Sequence, residues 1–175
     1  MYLPLCTIDV WEVEGDFDPC RFFHALPHVC VQDDVLVIGS YDVEESILNW
    51  LSANELDLPE DQKPFSDTFD LNRSEYPRGK CYALNPDKAR IDRLASFCEA
   101  ERGGLDRQLF FDHLLIYRPG EPLLPLVNFH DAFRGTLYLS GHYSEKVMKS
   151  FADALAATIK TVANPELKNI STSAL

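Results

Sequence analysis

The stretch that decides the fold class is LFFDHLLIYRPGEPLLPLVNFHDAFRGTLYLSG, residues 109–141. It contains three segments rich in apolar, β-branched and aromatic residues, separated by PGEP and by Arg134-Gly135, which are strong turn signals. The segments are 109–118, 123–131 and 136–141. Consecutive strands joined by turns this short pair antiparallel. The stretch therefore predicts an antiparallel meander of three strands in the C-terminal half.

Upstream of the meander, predicted strands and helices alternate. The strands are expected at 3–13, 35–41 and 80–84, and the helix start signals are Asp18-Pro19, Asp42 with Glu45 three residues later, and Asn85-Pro86. After the meander, Ser144 is expected to cap a long helix with the apolar stripe Val147, Phe151, Leu155, Ile159 and Val162. We predict an α+β fold, with a single mixed β-sheet of about five or six strands and the helices packed mainly on one face.

The chain length predicts one domain. The 175 residues are 46% apolar and 25% charged, which is typical of a globular protein. We expect a compact domain over 1–164 and a loose C-terminal tail over 165–175. Within the domain, 55–80 has three prolines, many acids and no periodicity, so it is expected to form a long acidic loop.

Charge is the most uneven property of the sequence. With 28 acidic and 16 basic residues the net charge is −12, which argues against nucleic acid or an anionic membrane as a partner. Residues 1–80 hold 17 acidic and 5 basic side chains, whereas residues 81–175 hold 11 of each. This asymmetry indicates either simple solubility or a negative surface that attracts a basic protein. The candidate partner-binding residues are Glu44, Glu45, Glu60, Asp61, Asp67 and Asp70.

The cysteines and the first residues bear on the compartment. Five cysteines at irregular spacing contain no CxxC, and the opening residues lack the basic start of a signal peptide. We therefore expect reduced thiols and a cytoplasmic location, and no apolar run approaches the roughly 20 residues of a membrane helix. The sequence also lacks the glycine-rich phosphate loops and the serine hydrolase motif, so no cofactor is expected.

One weak metal candidate lies in the first predicted helix. Cys20 and His24 are one turn apart, and thiolate with imidazole suits zinc. Pro27 interrupts the helix before His28, and the spacing differs from the usual zinc patterns. A buried apolar patch is the simpler interpretation of this segment.

A second candidate site comes from the meander and depends on its register. If residue 112 lies opposite 128 and His130 faces Thr136, alternation collects polar side chains on one face of the sheet. They are Asp112, Asn128, His130, Thr136, Tyr138, Ser140 and His142, while Val127, Phe129, Leu137 and Leu139 point into a core. His130, His142, Asp112 and Tyr138 are the weak catalytic candidates, and the two histidines are also metal candidates. The alternative is an ordinary solvated face, and a slip of one residue would separate the group.

These observations support more than one function. We favour a non-catalytic interaction domain, such as an inhibitor, an immunity-like protein or a regulatory subunit, whose acidic N-terminal half binds a basic protein. The alternative is a small enzyme or metal-binding domain that uses His130, His142 and Asp112. A homo-oligomer that buries the sheet face against a second copy is a third interpretation, which the polarity of that face disfavours.

Overall fold

The computed structural model describes residues 5–15, 17–40, 44–62, 80–101, 113–130, 132–133 and 135–170. The strands are β1 (Asp9–Glu14), β2 (Val35–Ser40), β3 (Lys80–Leu84), β4 (His113–Arg118), β5 (Leu124–His130), β6 (Leu137–Ser140) and β7 (Thr158–Ala163). The helices are α1 (Pro19–Ala25), α2 (Glu45–Asn54), α3 (Lys88–Glu101), α4 (Glu145–Leu155) and α5 (Pro165–Ile170). Short 3-10 turns follow at Leu26–His28 and Glu60–Gln62. The α+β class is confirmed.

The described strands form one sheet in the order β3-β2-β4-β5-β6-β1-β7, and each neighbouring pair is antiparallel. The prediction of a mixed sheet with five or six strands was wrong in both respects. Helical connections permit a parallel crossover but do not require one. Here three helical connections (β1 to β2, β3 to β4 and β6 to β7) join strands that run in the same direction, but at least one other strand lies between the two in the sheet. The connection through α2 joins the antiparallel neighbours β2 and β3.

The additional strand is β7, which was predicted to continue the last helix. That helix is capped by Ser144 as expected, because the Ser144 hydroxyl accepts a hydrogen bond from Val147 N–H. It ends at Leu155, since Ala156 adopts the left-handed conformation (φ 54°) that closes a helix C-terminus. The segment TIKTVA then pairs with β1 over six residues, so Ile159 and Val162 belong to a strand.

Helix starts agree with the sequence at α1 and differ at α2. Asp18 caps α1 by accepting a hydrogen bond from Arg21 N–H, and Pro19 is the first helical residue. In contrast, α2 begins at Glu45 with Glu44 as the N-cap and no side-chain cap bond, two residues later than the start predicted from Asp42. Asp42 itself lies outside the described residues.

The main core lies between one face of the sheet and helices α1 to α4. Phe22 packs there against Phe129 of β5 and Phe151 of α4, with ring centroids 5.4 Å and 6.3 Å apart, respectively. Such aromatic contacts add stability beyond the area that they bury. The four meander residues predicted to point inward, Val127, Phe129, Leu137 and Leu139, are all buried in this core, as predicted.

A smaller core covers the opposite face at the β3-β2-β4 end. Its buried residues are Val35, Val37, Ala83, Leu115 and Tyr117. Leu56 and Leu58 pack onto it, and Leu56 N–H donates to Ala83 O at 2.8 Å. The start of the predicted acidic loop is therefore fixed to the body along β3, while 63–79 lies outside the described residues.

The start of the predicted tail also contacts the body. Residues 165–170 form α5, whose Glu166 accepts hydrogen bonds from Leu5 N–H and from the Asn128 side chain. Among the described helices, none has the length and apolar composition needed to cross a membrane.

Candidate functional site

The register of the meander decides whether the polar face predicted from the sequence forms. The β5–β6 prediction is confirmed, because Asn128 lies opposite Tyr138. The β4–β5 prediction was wrong, because Asn128 lies opposite Leu115 rather than residue 112. Arg118 pairs with Leu124, so the turn is centred on Glu121 instead of Gly120. In addition, a bulge after Ile116 leaves one residue of β5 without a partner on β4.

The catalytic candidates do not converge among the described residues. His130 ends β5 beside the start of β6, whereas His142 lies in the turn after the other end of β6. Measured along β6, His130 and Ser140 are four residues apart, which is about 13 Å. Tyr138 is half-buried, and burial together with the charge of Glu12 raises its pKa. Asp112 lies outside the described residues.

A serine–histidine contact near the end of β6 has a local structural role. Ser140 Oγ lies 2.8 Å from His142 Nδ1 and also accepts a hydrogen bond from His142 N–H at 3.2 Å. Ser140 is fully buried, so its hydroxyl is closed to any substrate. A nucleophile must be reachable by the group that it attacks, and this pair therefore stabilises the turn.

The candidates on α1 do come together, at a surface cleft. Cys20 and His24 line a cleft of about 360 Å³ between α1 and α4, along with Asp18, Arg21, Ala25 and Ala154. Cys20 is buried and His24 is exposed. Over the described part of the chain, no group of three or more His, Cys, Asp or Glu residues has the geometry to hold a metal ion. The cleft thus brings together two soft donors and lacks a complete metal-binding set.

The described acidic candidates lie on α2 and on the segment that follows it, at the β3 end of the sheet. Glu44 and Glu45 are exposed at the start of α2, and Asp61 is exposed in the turn after the chain has crossed the edge of β3. Asp57, which the sequence did not single out, is exposed on the same segment. We call Glu44, Glu45, Asp57 and Asp61 the β3-end acidic surface, which extends from the start of α2 on the main-core face to the segment that packs on the smaller core of the opposite face. Glu60 lies in the same turn, and Asp67 and Asp70 are outside the described residues.

The charge of Glu55 confirms that this segment runs beside β3. Burial, followed by the nearby Glu55 carboxylate, raises the pKa of Cys81 in β3 to about 12. Glu55 therefore lies close to β3, next to Leu56, which is hydrogen-bonded to that strand.

The acids of β1 form a separate group at the opposite end. Glu12 and Glu14 both contact Lys160 of β7, with a Glu12–Lys160 distance of 2.7 Å. Hydrogen bonds to both carboxylates raise the pKa of Lys160, and Lys160 lowers that of Glu14. Six strand spacings, about 29 Å, separate β3 from β7. The acidic N-terminal half is thus split between the two ends of the sheet.

Basic side chains at several positions are neutralised within the chain. The described ion pairs are Lys88–Asp92, Arg90–Asp87, Arg118–Asp34, Lys149–Glu145 and Lys160 with Glu12 and Glu14. By contrast, Glu45, Asp57 and Asp61 have no counter-ion among the described residues. These three side chains of the β3-end acidic surface therefore carry negative charge that no described side chain compensates.

The structure also contains a buried polar cluster that the sequence did not indicate. Asp34 is fully buried and accepts hydrogen bonds from Arg118 Nε at 2.7 Å and Nη2 at 3.2 Å. Tyr143 O–H donates to Val29 O at 2.7 Å beside them. Burial raises the pKa of both Cys30 and Tyr143, which keeps them protonated and unreactive. This cluster ties the start of β2 to the end of β4.

Comparisons of the chain with protein-family models, with curated proteins and with solved structures find no match. The fold and the charges of the described residues thus define an antiparallel α+β domain with an acidic surface at one edge of its sheet.

Proposed function

We propose that this chain is a non-catalytic interaction domain that binds a basic protein through the β3-end acidic surface. The observation that carries the proposal is the uncompensated charge of Glu45, Asp57 and Asp61, which are exposed without a described counter-ion. An inhibitor, an immunity-like neutraliser or a regulatory subunit would use such a surface.

The support for a basic partner is electrostatic. A surface of one sign accelerates association with an oppositely charged protein and disfavours partners of like charge. The acids lie on α2 and on a segment that is held against β3 by the Leu56 hydrogen bond and by the Leu56 and Leu58 side chains. Because the backbone under the charges is fixed, little ordering entropy would be lost on binding.

The proposed setting is a reducing compartment such as the cytoplasm. All five cysteine positions are described, and none of them forms a disulfide. The net charge of −12 also disfavours nucleic acid and anionic lipid, whose phosphates would be repelled.

The test uses a short lysine-rich peptide as a probe and two variants of equal charge. One variant carries Glu45→Lys, Asp57→Lys and Asp61→Lys. The matched control carries Asp9→Lys, Glu121→Lys and Asp153→Lys, three exposed acids that lie elsewhere on the described surface. Affinity is measured by fluorescence anisotropy at several salt concentrations.

We expect the first variant to weaken binding by about tenfold or more, since each exposed charge pair is worth roughly 0.2–1 kcal/mol and is reversed. The control should weaken it much less, and salt should reduce the wild-type affinity. Equal losses in the two variants would mean that only the overall charge matters, and the proposed surface would be rejected.

A further inference from the structure

The two outer strands of the sheet have different surroundings. Part of the outer edge of β3 is paired, because Leu56 N–H donates to Ala83 O and the Leu56 and Leu58 side chains pack on the smaller core. At the other end, β7 pairs with β1, and no described residue pairs with its outer side. An uncovered edge strand presents backbone N–H and C=O groups that can pair with another strand.

The register identifies which groups face outward. Asn164 N–H donates to Ile8 O at 2.8 Å, which makes this position a hydrogen-bonded pair of the β1–β7 ladder. Because such pairs alternate along an antiparallel ladder, residues 158, 160 and 162 direct their backbone groups toward β1. Ile159, Thr161 and Ala163 therefore direct theirs away from the sheet.

The side chains of β7 leave this edge open. Its sequence, TIKTVA, contains one charged residue and no proline. Lysine on an edge strand usually discourages pairing, but Lys160 is held by Glu12 and Glu14 on the neighbouring strand. Its charge is thus compensated by its own chain, and the outward positions are uncharged and largely β-branched. Such an edge matches a partner strand of the same composition better than a basic one.

We propose that β7 pairs with β7 of a second copy, antiparallel about a twofold axis through Thr161. In this register Thr161 faces Thr161 of the second copy, and Ile159 faces its Ala163. Each outward N–H and C=O group of the three residues then has a partner. A register shifted by two residues leaves an outward residue of each copy unpaired. The pairing joins the two seven-stranded sheets into one continuous sheet.

The size and charge of the contact set its strength. Two paired strands of six residues form an interface smaller than the typical buried area of about 1,600 Å², so the dimer is expected to be weak, with micromolar affinity. Each copy also carries a net charge of −12, which opposes association. Added salt screens this repulsion and should strengthen the dimer. Salt should have the opposite effect on a basic partner at the β3 end, so the two proposals can fail independently.

The test is sedimentation velocity of the full chain over about two decades of micromolar concentration, at low and high salt. The decisive variant is Thr161→Pro, which removes an outward N–H at the centre of the contact and no hydrogen bond to β1. Thr161→Val is the matched control, since it keeps the N–H and the branched side chain. Urea unfolding checks that each variant is folded.

We expect a monomer–dimer equilibrium in the wild type that Thr161→Pro weakens by about tenfold or more and Thr161→Val leaves nearly unchanged. Hydrogen exchange of the wild type gives a second measurement that does not depend on a folded proline variant. The amides of Ile159, Thr161 and Ala163 should become more protected as the protein concentration rises. A monomer at every concentration, a dimer without this protection, or protection only when a different protein is bound would overturn the proposal.

Discussion

Arg118→Ala tests the buried ion pair that links β2 to β4. The Asp34 carboxylate is fully buried and accepts two hydrogen bonds from Arg118 and one, at 2.8 Å, from Val31 N–H. Hydrogen bonding to Asp34 raises the pKa of Arg118, which remains charged at all ordinary pH values. Without the guanidinium, one backbone donor remains to the carboxylate among its described partners.

The expected loss of stability follows from the exposure of the two side chains. Removing one partner of a fully buried ion pair costs about 3–5 kcal/mol, because the other charge is left without compensation. The Arg118 side chain is 40% exposed, so water reaches one side of the pair. We therefore expect a loss at or below the lower limit, about 2–3 kcal/mol. This is a large part of the roughly 5–15 kcal/mol that typically separates folded and unfolded states.

The measurement is urea unfolding followed by circular dichroism, with Asp34→Asn and the double variant completing a thermodynamic cycle. Once Asp34 is replaced by a neutral amide, removal of Arg118 should cost much less. Lys149→Ala, which removes an exposed ion pair with Glu145, is the control and should have a far smaller effect. If Arg118→Ala changes stability by less than about 0.5 kcal/mol, or if the two substitutions are additive, the assigned role of the pair is wrong.

Three further predictions follow from local geometry. Ala156→Gly should raise the free energy of unfolding by about 0.5–1 kcal/mol, because Ala156 holds a left-handed φ of 54° that glycine adopts without strain, and a loss in urea unfolding would contradict this. A thiol reagent at mildly alkaline pH should label exposed Cys6 first, since burial raises the pKa of Cys30 and of Cys81, and Cys6→Ser should abolish the fast phase. Lys160 lowers the pKa of Glu14, and Lys149 lowers that of Glu145. The two carboxylates therefore contribute to stability above their ordinary pKa of 4.5, and this contribution is lost as the pH falls through their lower pKa values in the folded state. Glu14→Gln together with Glu145→Gln should reduce the fall of stability at acid pH, and an unchanged dependence of stability on pH would contradict the role of these ion pairs.

The sequence predicts the parts of the fold that depend on local periodicity. The β5–β6 register follows from alternation, because Phe129 and Leu137 must both reach the core and Asn128 then lies opposite Tyr138. The Asp18 and Ser144 helix caps have short-range sequence signals and can be predicted in the same way. These features need no knowledge of distant residues.

The β7 strand was missed because its apolar residues also fit a helix. Leu155, Ile159 and Val162 are spaced four and three residues apart, which is the helical pattern, and two alanines precede the strand. The helix ends through the backbone conformation of Ala156, a residue type that normally favours helix. Tertiary pairing with β1 decides this segment, and a single sequence carries no local signal for it.

The buried ion pair and the distribution of the acidic residues could not be predicted from the sequence, because both depend on strand order. Asp34 and Arg118 are 84 residues apart in sequence, and they meet because β2 pairs with β4. Similarly, the acidic count of the first 80 residues does not reveal that Glu12 and Glu14 lie at the opposite end of the sheet from Glu45. A count along the chain gives the amount of charge, whereas the topology decides where it acts.

The positions of the two proposed surfaces constrain the assembly that they would form together. The β3 and β7 edges are about 29 Å apart across the sheet, so pairing through β7 leaves both β3-end acidic surfaces exposed and directed away from the twofold axis. Two basic proteins should then bind each dimer without competing with dimerisation. Native mass spectrometry with a saturating basic partner should detect two partners on two chains at high protein concentration and one on one at low concentration. A partner that dissociates the dimer would show that the two surfaces overlap, which contradicts their placement at opposite ends of one sheet.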